Sequence, residues 1–192
     1  MPSFTWPRGG KNLVYVVEYS LSLAVTKFSI GDDAMIYDEI AMNNGVIFQH
    51  TVDILNNQMK FGLANMSSAN GIMNGALDAA LVVPIAVNGA FACELFMKSM
   101  LPQNTRGHKL DGLFDLLESN IQEEIRNLTV ERMKKVNSEY SDTNFQADLA
   151  HNSNVFAEWR YFHEGNTNAV GFQFILSFMK SIFDVVNKER KK

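Results

Sequence analysis

The chain contains very little cysteine, since Cys93 is the single thiol among its 192 residues. One thiol cannot form an internal disulfide, which excludes a disulfide-rich scaffold and favours a reducing compartment, the cytoplasm. Proline is also scarce, with four residues, and so few helix breakers leave room for long helices. Hydrophobic residues account for 46% and charged residues for 20%, a balance that is typical of a globular protein and argues against long disordered tracts.

The sequence also lacks an excess of positive charge, with a formal net charge of -4 and a pI near 5.6. Such a chain has no general attraction to phosphate backbones, so contact with a nucleic acid requires a local patch. Glycine-rich phosphate loops and nucleophile elbows are absent as well. Neither His50 nor His151 indicates a zinc site, and we expect no metal and no cofactor.

Two hydrophobic runs have the composition of membrane segments but contain charged residues. The run at 13–25, LVYVVEYSLSLAV, is interrupted by Glu18 and no clear signal-peptide cleavage site follows it. The run at 76–97 includes Asp78 and Glu94, which are costly inside a bilayer. We interpret both runs as parts of a folded core and expect no membrane partner.

Apolar residues recur at helical spacing along most of the chain, and neither a strand series nor an internal repeat is present. The sequence therefore predicts an all-α protein. A first long helix follows the N-cap candidates in Gly-Asp-Asp at 31–33, with Asn44-Gly45 as a candidate break. Residues 1–70, an irregular lead-in plus this helix, are predicted to pack as an N-terminal segment on a helical core at 71–192. Whether the run at 14–17 is a strand or a helix stays open.

Within the predicted core, a very apolar helix is expected over 74–101, where Pro84 either introduces a kink or marks the true start. Asn120 and Glu123 have the spacing of a capping box at the start of another helix. A last helix is predicted over 168–187. Two apolar stripes support these assignments, one formed by Leu110, Leu113, Phe114 and Leu117, the other by Phe174, Phe178, Ile182 and Val185.

The most apolar predicted helix, at 74–101, has three charged residues, Asp78, Glu94 and Lys98, and the last two share one face of it. A buried charge costs several kcal/mol in lost hydration unless it is paired, so both side chains require partners of opposite charge. Arg160 and Glu164 repeat the same four-residue spacing among aromatic residues. We therefore predict a cluster of four charges in which Glu94 meets Arg160 and Lys98 meets Glu164.

These residues also carry a family resemblance, which spans roughly residues 74–187. The order GAFACELFMKSML, GHKLDGLFDLL and FAEWRYFHE, followed by an apolar helix, resembles the HEPN superfamily (higher eukaryotes and prokaryotes nucleotide-binding). The usual HEPN signature is an arginine followed four to six residues later by a histidine, and this chain lacks it. Its E-x3-K and R-x3-E motifs resemble the variant pattern of some HEPN clades.

The resemblance implies an HEPN-like helical bundle that binds RNA or cleaves it as a metal-independent endoribonuclease, in a toxin-antitoxin or anti-phage setting. It further implies a homodimer, with an antitoxin or another protein as a possible partner. Lys98 and Arg160 would stabilise charge on the scissile phosphate, and a carboxylate or His163 would take the proton of the ribose 2'-hydroxyl. The implied catalytic residues are Glu94, Lys98, Arg160, His163 and Glu164, and the implied substrate-binding residues are His108, Trp159 and Tyr161.

Alternative interpretations accompany each of these assignments. The four charges could instead lock two helices in register within a non-catalytic interaction or dimerisation module. The resemblance also suggests a packing or capping role for His108, and aromatic residues at helical spacing, such as Trp159, are common in cores. A third hypothesis is a ligand-binding protein in which the ten methionines line an adaptable pocket.

Overall fold

The computed structural model describes residues 38–64, 78–159 and 170–191, and all regular secondary structure in these ranges is helical. This confirms the all-α class. The helices, in chain order, are α1 (Glu39–Ala64), α2 (Val82–Ser99), α3 (Leu110–Asp115), α4 (Ser119–Lys134), α5 (Asp142–His151), α6 (Val155–Trp159) and α7 (Phe172–Glu189). The predicted boundary at residue 70, the Gly-Asp-Asp at 31–33 and the ambiguous run at 14–17 lie outside the described residues.

Helix α2 is the central element, because α1, α3, α6 and α7 all pack against it. Pro84 lies in its first turn, where a backbone N–H has no intrahelical acceptor, so the proline marks the start of the helix and introduces no kink. By length and hydropathy alone, α2 is also the one described helix that could cross a membrane, although 56% of it is buried inside the protein. Core helices and membrane spans share these properties, so they carry no conclusion about a membrane.

Helix α1 lies along α2 and begins at Asp38, whose Oδ1 accepts hydrogen bonds from the backbone N–H groups of Ile40 and Ala41, both at 3.0 Å. The candidate break at Asn44-Gly45 is wrong, because the helix is continuous through both residues. Gly45 is buried against the ring of Phe96, and a Cβ at this position would lie 2.6 Å from Phe96 Cε1. The glycine therefore allows two helices to approach closely.

The core between α3, α5 and α7 is built from phenylalanine rings. Phe145 lies 5.5 Å from Phe114 and 5.8 Å from Phe174 between ring centroids, and Phe174 stacks on Phe178. Both predicted stripes, on α3 with the following Leu117 and on α7, are buried and thus confirmed. Aromatic pairs of this geometry add about 0.5–1.5 kcal/mol beyond the area that they bury.

The predicted capping box at Asn120 and Glu123 is wrong. Helix α4 already begins at Ser119, its N-cap is Glu118, and no side chain caps it. Asn120 is therefore the second helical residue, a position from which its side chain cannot replace the N-cap. A capping box does occur at α5, where Asn144 Oδ1 accepts a hydrogen bond of 2.9 Å from the backbone N–H of Ser141.

The turn between α5 and α6 connects three parts of the fold. Asn152 is fully buried, and its Oδ1 accepts a 2.7 Å hydrogen bond from the backbone N–H of Gly171, just before α7. The carbonyl of Ser153 accepts a 3.1 Å bond from the backbone N–H of Leu110, and its hydroxyl donates to Asp111. These bonds fix the start of α3, and with it the position of the preceding loop.

Because of the close approach at Gly45, we expect alanine substitutions at Gly45 and at Gly112 to change stability in opposite directions. We expect Gly45→Ala to lower the free energy of unfolding by about 1–3 kcal/mol, because the methyl group overlaps the Phe96 ring. Gly112 in α3 is exposed, and a Cβ at this position would lie 3.9 Å from Lys109 Cβ, an ordinary contact distance. Gly112→Ala should therefore raise stability by about 0.5–1 kcal/mol through helix propensity. Urea unfolding measures the free energy of unfolding of both variants, and equal changes in the two variants would contradict the close packing at Gly45.

Tyr140 makes the free energy of unfolding depend on pH in the alkaline range. Burial, followed by the hydrogen bond of its hydroxyl to Asp148 Oδ2 (2.6 Å) and the negative charge there, raises the pKa of Tyr140 above its ordinary value of about 10. The contribution of the protonated Tyr140 hydroxyl to stability is thus complete below about pH 10 and is lost as the pH rises further. We expect wild type to be more stable than Tyr140→Phe by about 1 kcal/mol at neutral pH. This difference should shrink above about pH 10, and a constant difference would contradict the assignment.

Candidate functional site

The candidate site is centred on Glu94, whose residue surface is only 2% exposed. The carboxylate is buried because Glu94 lies on α2, the helix around which the other elements pack. Neighbouring residues on the same helix, including Cys93, Phe96 and Met97, are fully buried apolar residues. A carboxylate in such surroundings is costly unless cationic or hydrogen-bonding groups surround it.

Two nitrogen atoms meet at one oxygen of this carboxylate. Lys98 Nζ, one helical turn along α2, donates a hydrogen bond of 2.9 Å to Glu94 Oε1. His108 Nδ1, from the loop between α2 and α3, lies 2.8 Å from the same oxygen. A hydrogen bond between an imidazole and a carboxylate oxygen requires a proton on Nδ1, so Nε2 of the neutral ring is a proton acceptor. We refer to Glu94, Lys98 and His108 as the Glu94 cluster.

The Glu94 cluster passes from the interior to the surface within a few ångströms. The exposed fraction of the side chain rises from 2% at Glu94 to 22% at Lys98 and 67% at His108. The carboxylate is thus the buried end of the cluster and the imidazole is its exposed end. Among the described residues, no group donates to the buried second oxygen, Glu94 Oε2.

The loop at 102–109 presents the histidine together with further positive charge. Arg106, His108 and Lys109 are exposed, and the loop contains no acidic residue. Gly107 has a φ of +111°, a conformation that side-chain-bearing residues rarely adopt, so glycine is required immediately before the histidine. The loop therefore combines a defined backbone conformation with a positively charged surface.

Aromatic rings border the same region. Phe156 on α6 stacks on Phe91 of α2, with ring centroids 4.4 Å apart and an interplanar angle of 11°. Its centroid lies 6.5 Å from that of His108. Phe48 of α1 meets Phe91 edge-on at 4.7 Å. These rings join α1, α2 and α6 beside the Glu94 cluster.

The structure brings together three of the residues named from the sequence, Glu94, Lys98 and His108. Trp159 is the half-buried last residue of α6. Tyr161, Arg160, His163 and Glu164 lie outside the described residues. The pairing of Glu94 with Arg160 and of Lys98 with Glu164 accordingly stays a prediction.

His108 has a different structural setting from the packing or capping role suggested by the resemblance. The N-cap of α3 is Lys109, and the His108 ring is mostly exposed. Its contact with Glu94 was missed in the sequence, where the buried carboxylate signalled the need for a partner but did not identify one. The spacing of fourteen residues between them has no local periodicity that would reveal the contact.

Cys93 precedes Glu94 on α2 but cannot act as a nucleophile. Burial raises the pKa of its thiol far above the ordinary range, so the reactive thiolate does not form near neutral pH. Within residues 38–64, 78–159 and 170–191, no three histidine, cysteine or acidic side chains converge as metal ligands. The chemistry of the described site is thus that of a carboxylate, an amine and an imidazole.

Comparison with models of protein families, with characterised proteins and with solved structures finds no match to this chain.

The burial of Cys93 leads to a direct chemical test. We expect the native protein to leave Cys93 unlabelled by a thiol reagent at pH 8 and to release one equivalent of thiol only after unfolding in guanidinium. Rapid labelling of the native protein, at a rate similar to that of free cysteine, would contradict the fully buried position. A cysteine introduced at exposed Leu116 is the control for an accessible thiol.

Proposed function

We propose that this protein binds RNA and cleaves it as a metal-independent endoribonuclease, with His108 as the general base. The observation that carries the proposal is the contact of Glu94 Oε1 with both His108 Nδ1 and Lys98 Nζ, at 2.8 and 2.9 Å. A buried carboxylate that orients an exposed imidazole is a recurring arrangement for proton transfer. The adjacent amine supplies the positive charge that a phosphate substrate requires.

The reaction follows from the orientation of the ring. His108 Nε2 takes the proton of a ribose 2'-hydroxyl, and the resulting 2'-oxygen attacks the adjacent phosphorus. The bond from phosphorus to the 5'-oxygen then breaks, and that oxygen takes a proton from water. The imidazolium returns its proton to the hydroxide that this leaves, so the ring becomes neutral again. The products are a 2',3'-cyclic phosphate and a 5'-hydroxyl, with no metal and no covalent enzyme intermediate.

Each member of the Glu94 cluster has a separate role in this scheme. Glu94 holds the Nδ1 proton, which directs Nε2 outward and stabilises the imidazolium formed after proton transfer. The Lys98 ammonium has two further N–H groups beyond the one bonded to Glu94, and these can face a non-bridging phosphate oxygen.

RNA binding is supported by the charge of the loop at 102–109. Arg106 and Lys109 flank His108, and both are exposed. Contacts of such residues with phosphates release counterions and provide affinity that falls with salt. This local patch supplies what the overall charge of -4 does not.

The HEPN resemblance adds Arg160, His163 and Glu164 to the proposed active site and Trp159 and Tyr161 to the RNA-binding surface. It also suggests a cytoplasmic toxin-antitoxin or anti-phage setting with a protein partner. These parts of the proposal rest on the motifs of the sequence. The Glu94 cluster supports the same chemistry independently.

The decisive experiment is cleavage of labelled single-stranded RNA by the purified protein in excess EDTA. We expect wild type to generate 2',3'-cyclic phosphate ends and His108→Gln to be slower by about 10²–10⁴-fold, the usual contribution of a general base. Lys98→Gln should also be impaired. His151→Gln, at the exposed end of α5, is the matched histidine control and should cleave like wild type.

Two outcomes would contradict the proposed nuclease activity. One is negligible cleavage by wild type across RNAs of varied sequence, and the other is equal cleavage by wild type and His108→Gln. Melting curves of all variants accompany the assay, so that loss of activity is separated from loss of folding.

A second candidate is a non-catalytic interaction module in which the Glu94 cluster is structural. It is favoured by the way in which Glu94 Oε1 joins α2 to the loop at 102–109. Under this function, Glu94→Ala and Arg160→Ala lower the melting temperature sharply while wild type and both variants leave RNA intact.

A further inference from the structure

The outer ring nitrogen of His108 is a nucleophile as well as a proton acceptor. Nδ1 lies 2.8 Å from Glu94 Oε1, so the lone pair of the neutral ring is on Nε2. Histidine is among the side chains that form covalent bonds with reacting groups, and orientation of the reacting side chain by a further group is part of such sites. Glu94 thus determines which atom of the ring can react.

Exposure distinguishes His108 from a histidine that belongs only to a polar core. Its side chain is 67% exposed, whereas the side chain of Glu94 is 2% exposed. A reagent in solution can therefore reach the ring, while the carboxylate that holds the ring is shielded from water. The interior screens charges less than bulk water does, so Glu94 effectively stabilises a positive charge that forms on the imidazole.

The groups that accompany the ring favour an incoming group of negative charge. Lys98 Nζ lies 2.9 Å from the same oxygen of Glu94, and the lysine side chain is 22% exposed. Arg106 and Lys109 are exposed in the same loop as His108, and the loop at 102–109 contains no acidic residue. This set of cations is complementary to a phosphoryl group, whose oxygens are negatively charged and strong hydrogen-bond acceptors.

We propose that His108 Nε2 is a phosphorylation site whose phosphoryl donor is an acyl phosphate. The lone pair of Nε2 attacks the phosphorus atom, the bond from phosphorus to the acyl oxygen breaks, and a carboxylate leaves with the bonding electrons. A carboxylate is a stable leaving group that needs no proton, so the reaction requires no general acid. The proton on Nδ1 stays in its hydrogen bond to Glu94, which stabilises the positive charge that the ring acquires.

Phosphorylation of His108 also regulates the candidate site. The proposed nuclease uses the lone pair of Nε2 to take a proton, and the same lone pair forms the bond to phosphorus. One nitrogen cannot do both, so the modified ring cannot act as a general base. The added negative charge also repels the phosphates of RNA. This regulatory consequence rests on the proposed function, whereas the modification itself does not.

The test measures how fast acetyl phosphate labels each histidine of the full chain. Phosphohistidine is mapped by mass spectrometry without acid treatment, because acid hydrolyses the bond from nitrogen to phosphorus. We expect native His108 to react about 10–100-fold faster than the exposed His50 and His151, the factor that a hydrogen bond to a charged group provides. In denaturant Glu94 no longer holds the ring, so the three histidines should react at the same rate.

Two matched substitutions test the role of the carboxylate. Glu94→Gln keeps the shape of the side chain but removes its charge, and we expect it to slow the labelling of His108 by about 10–100-fold. Glu123→Gln removes an exposed charge from α4, and His108 in this variant should react as in wild type. Melting curves show whether each variant is folded during labelling. If Glu94→Gln does not fold, the comparison of native with denatured wild type decides.

Equal labelling of His50, His108 and His151 in native wild type would overturn the phosphorylation site. Equal rates at His108 in wild type and in folded Glu94→Gln would overturn it as well. RNA cleavage is then measured before and after labelling, and unchanged cleavage by the phosphorylated protein would overturn the regulatory role. Selective labelling of a protein that cleaves no RNA would support the modification site and contradict the nuclease alone.

Discussion

The buried carboxylate of Glu94 is the constraint on which the site depends. An ionised carboxylate on the central helix loses its hydration, at a cost of several kcal/mol unless other groups compensate. The fold supplies Lys98 from the same helix and His108 from a loop. A single partly exposed amine one turn away is a weak compensation, and the histidine provides the second bond. The loop at 102–109 is thereby attached to the centre of the protein.

The three side chains of the Glu94 cluster also differ in their exposure to solvent. Glu94 is shielded from water, Lys98 is partly accessible, and most of the His108 ring faces solvent. Shielding strengthens the effect of the carboxylate on the ring, because the interaction of charges is less screened in the interior. Exposure allows the ring to reach a substrate. Both properties are needed for the proposed proton transfer, and they arise because a central helix and a surface loop meet at one oxygen atom.

Local periodicity accounts for the parts of the fold that the sequence predicted. The stripes on α3 and α7 and the all-α class depend on residues within a few turns of one another. The failures at Asn44-Gly45 and Asn120 have a different origin. Gly45 is read locally as a helix breaker, but the Phe96 ring from another helix occupies the space beside it. Asn120 has the spacing of a cap, but the helix begins before it.

The same distinction separates the two halves of the candidate site. The need for partners at Glu94 and Lys98 follows from the apolar helix on which they lie. The identity of His108 as one of those partners does not, because the loop is positioned by contacts that are distant in sequence. The backbone of Leu110 binds Ser153, and Asn152 in turn binds Gly171. None of these contacts has a signature in the sequence near His108.

The turn at Asn152 and Ser153 should consequently be linked in evolution to the Glu94 cluster, although the turn is distant from Glu94 in the sequence. The bond of Ser153 to Asp111 fixes the start of α3, directly after the loop from which His108 reaches the carboxylate, and the bond of Gly171 to Asn152 fixes the turn that carries Ser153. Homologous chains that retain His108 should therefore also retain the polar residues of this turn. Chains that have lost His108 should vary more freely at the turn, and the reverse should also hold. Covariation between position 108 and positions 111, 152 and 153 is the expected trace of that dependence.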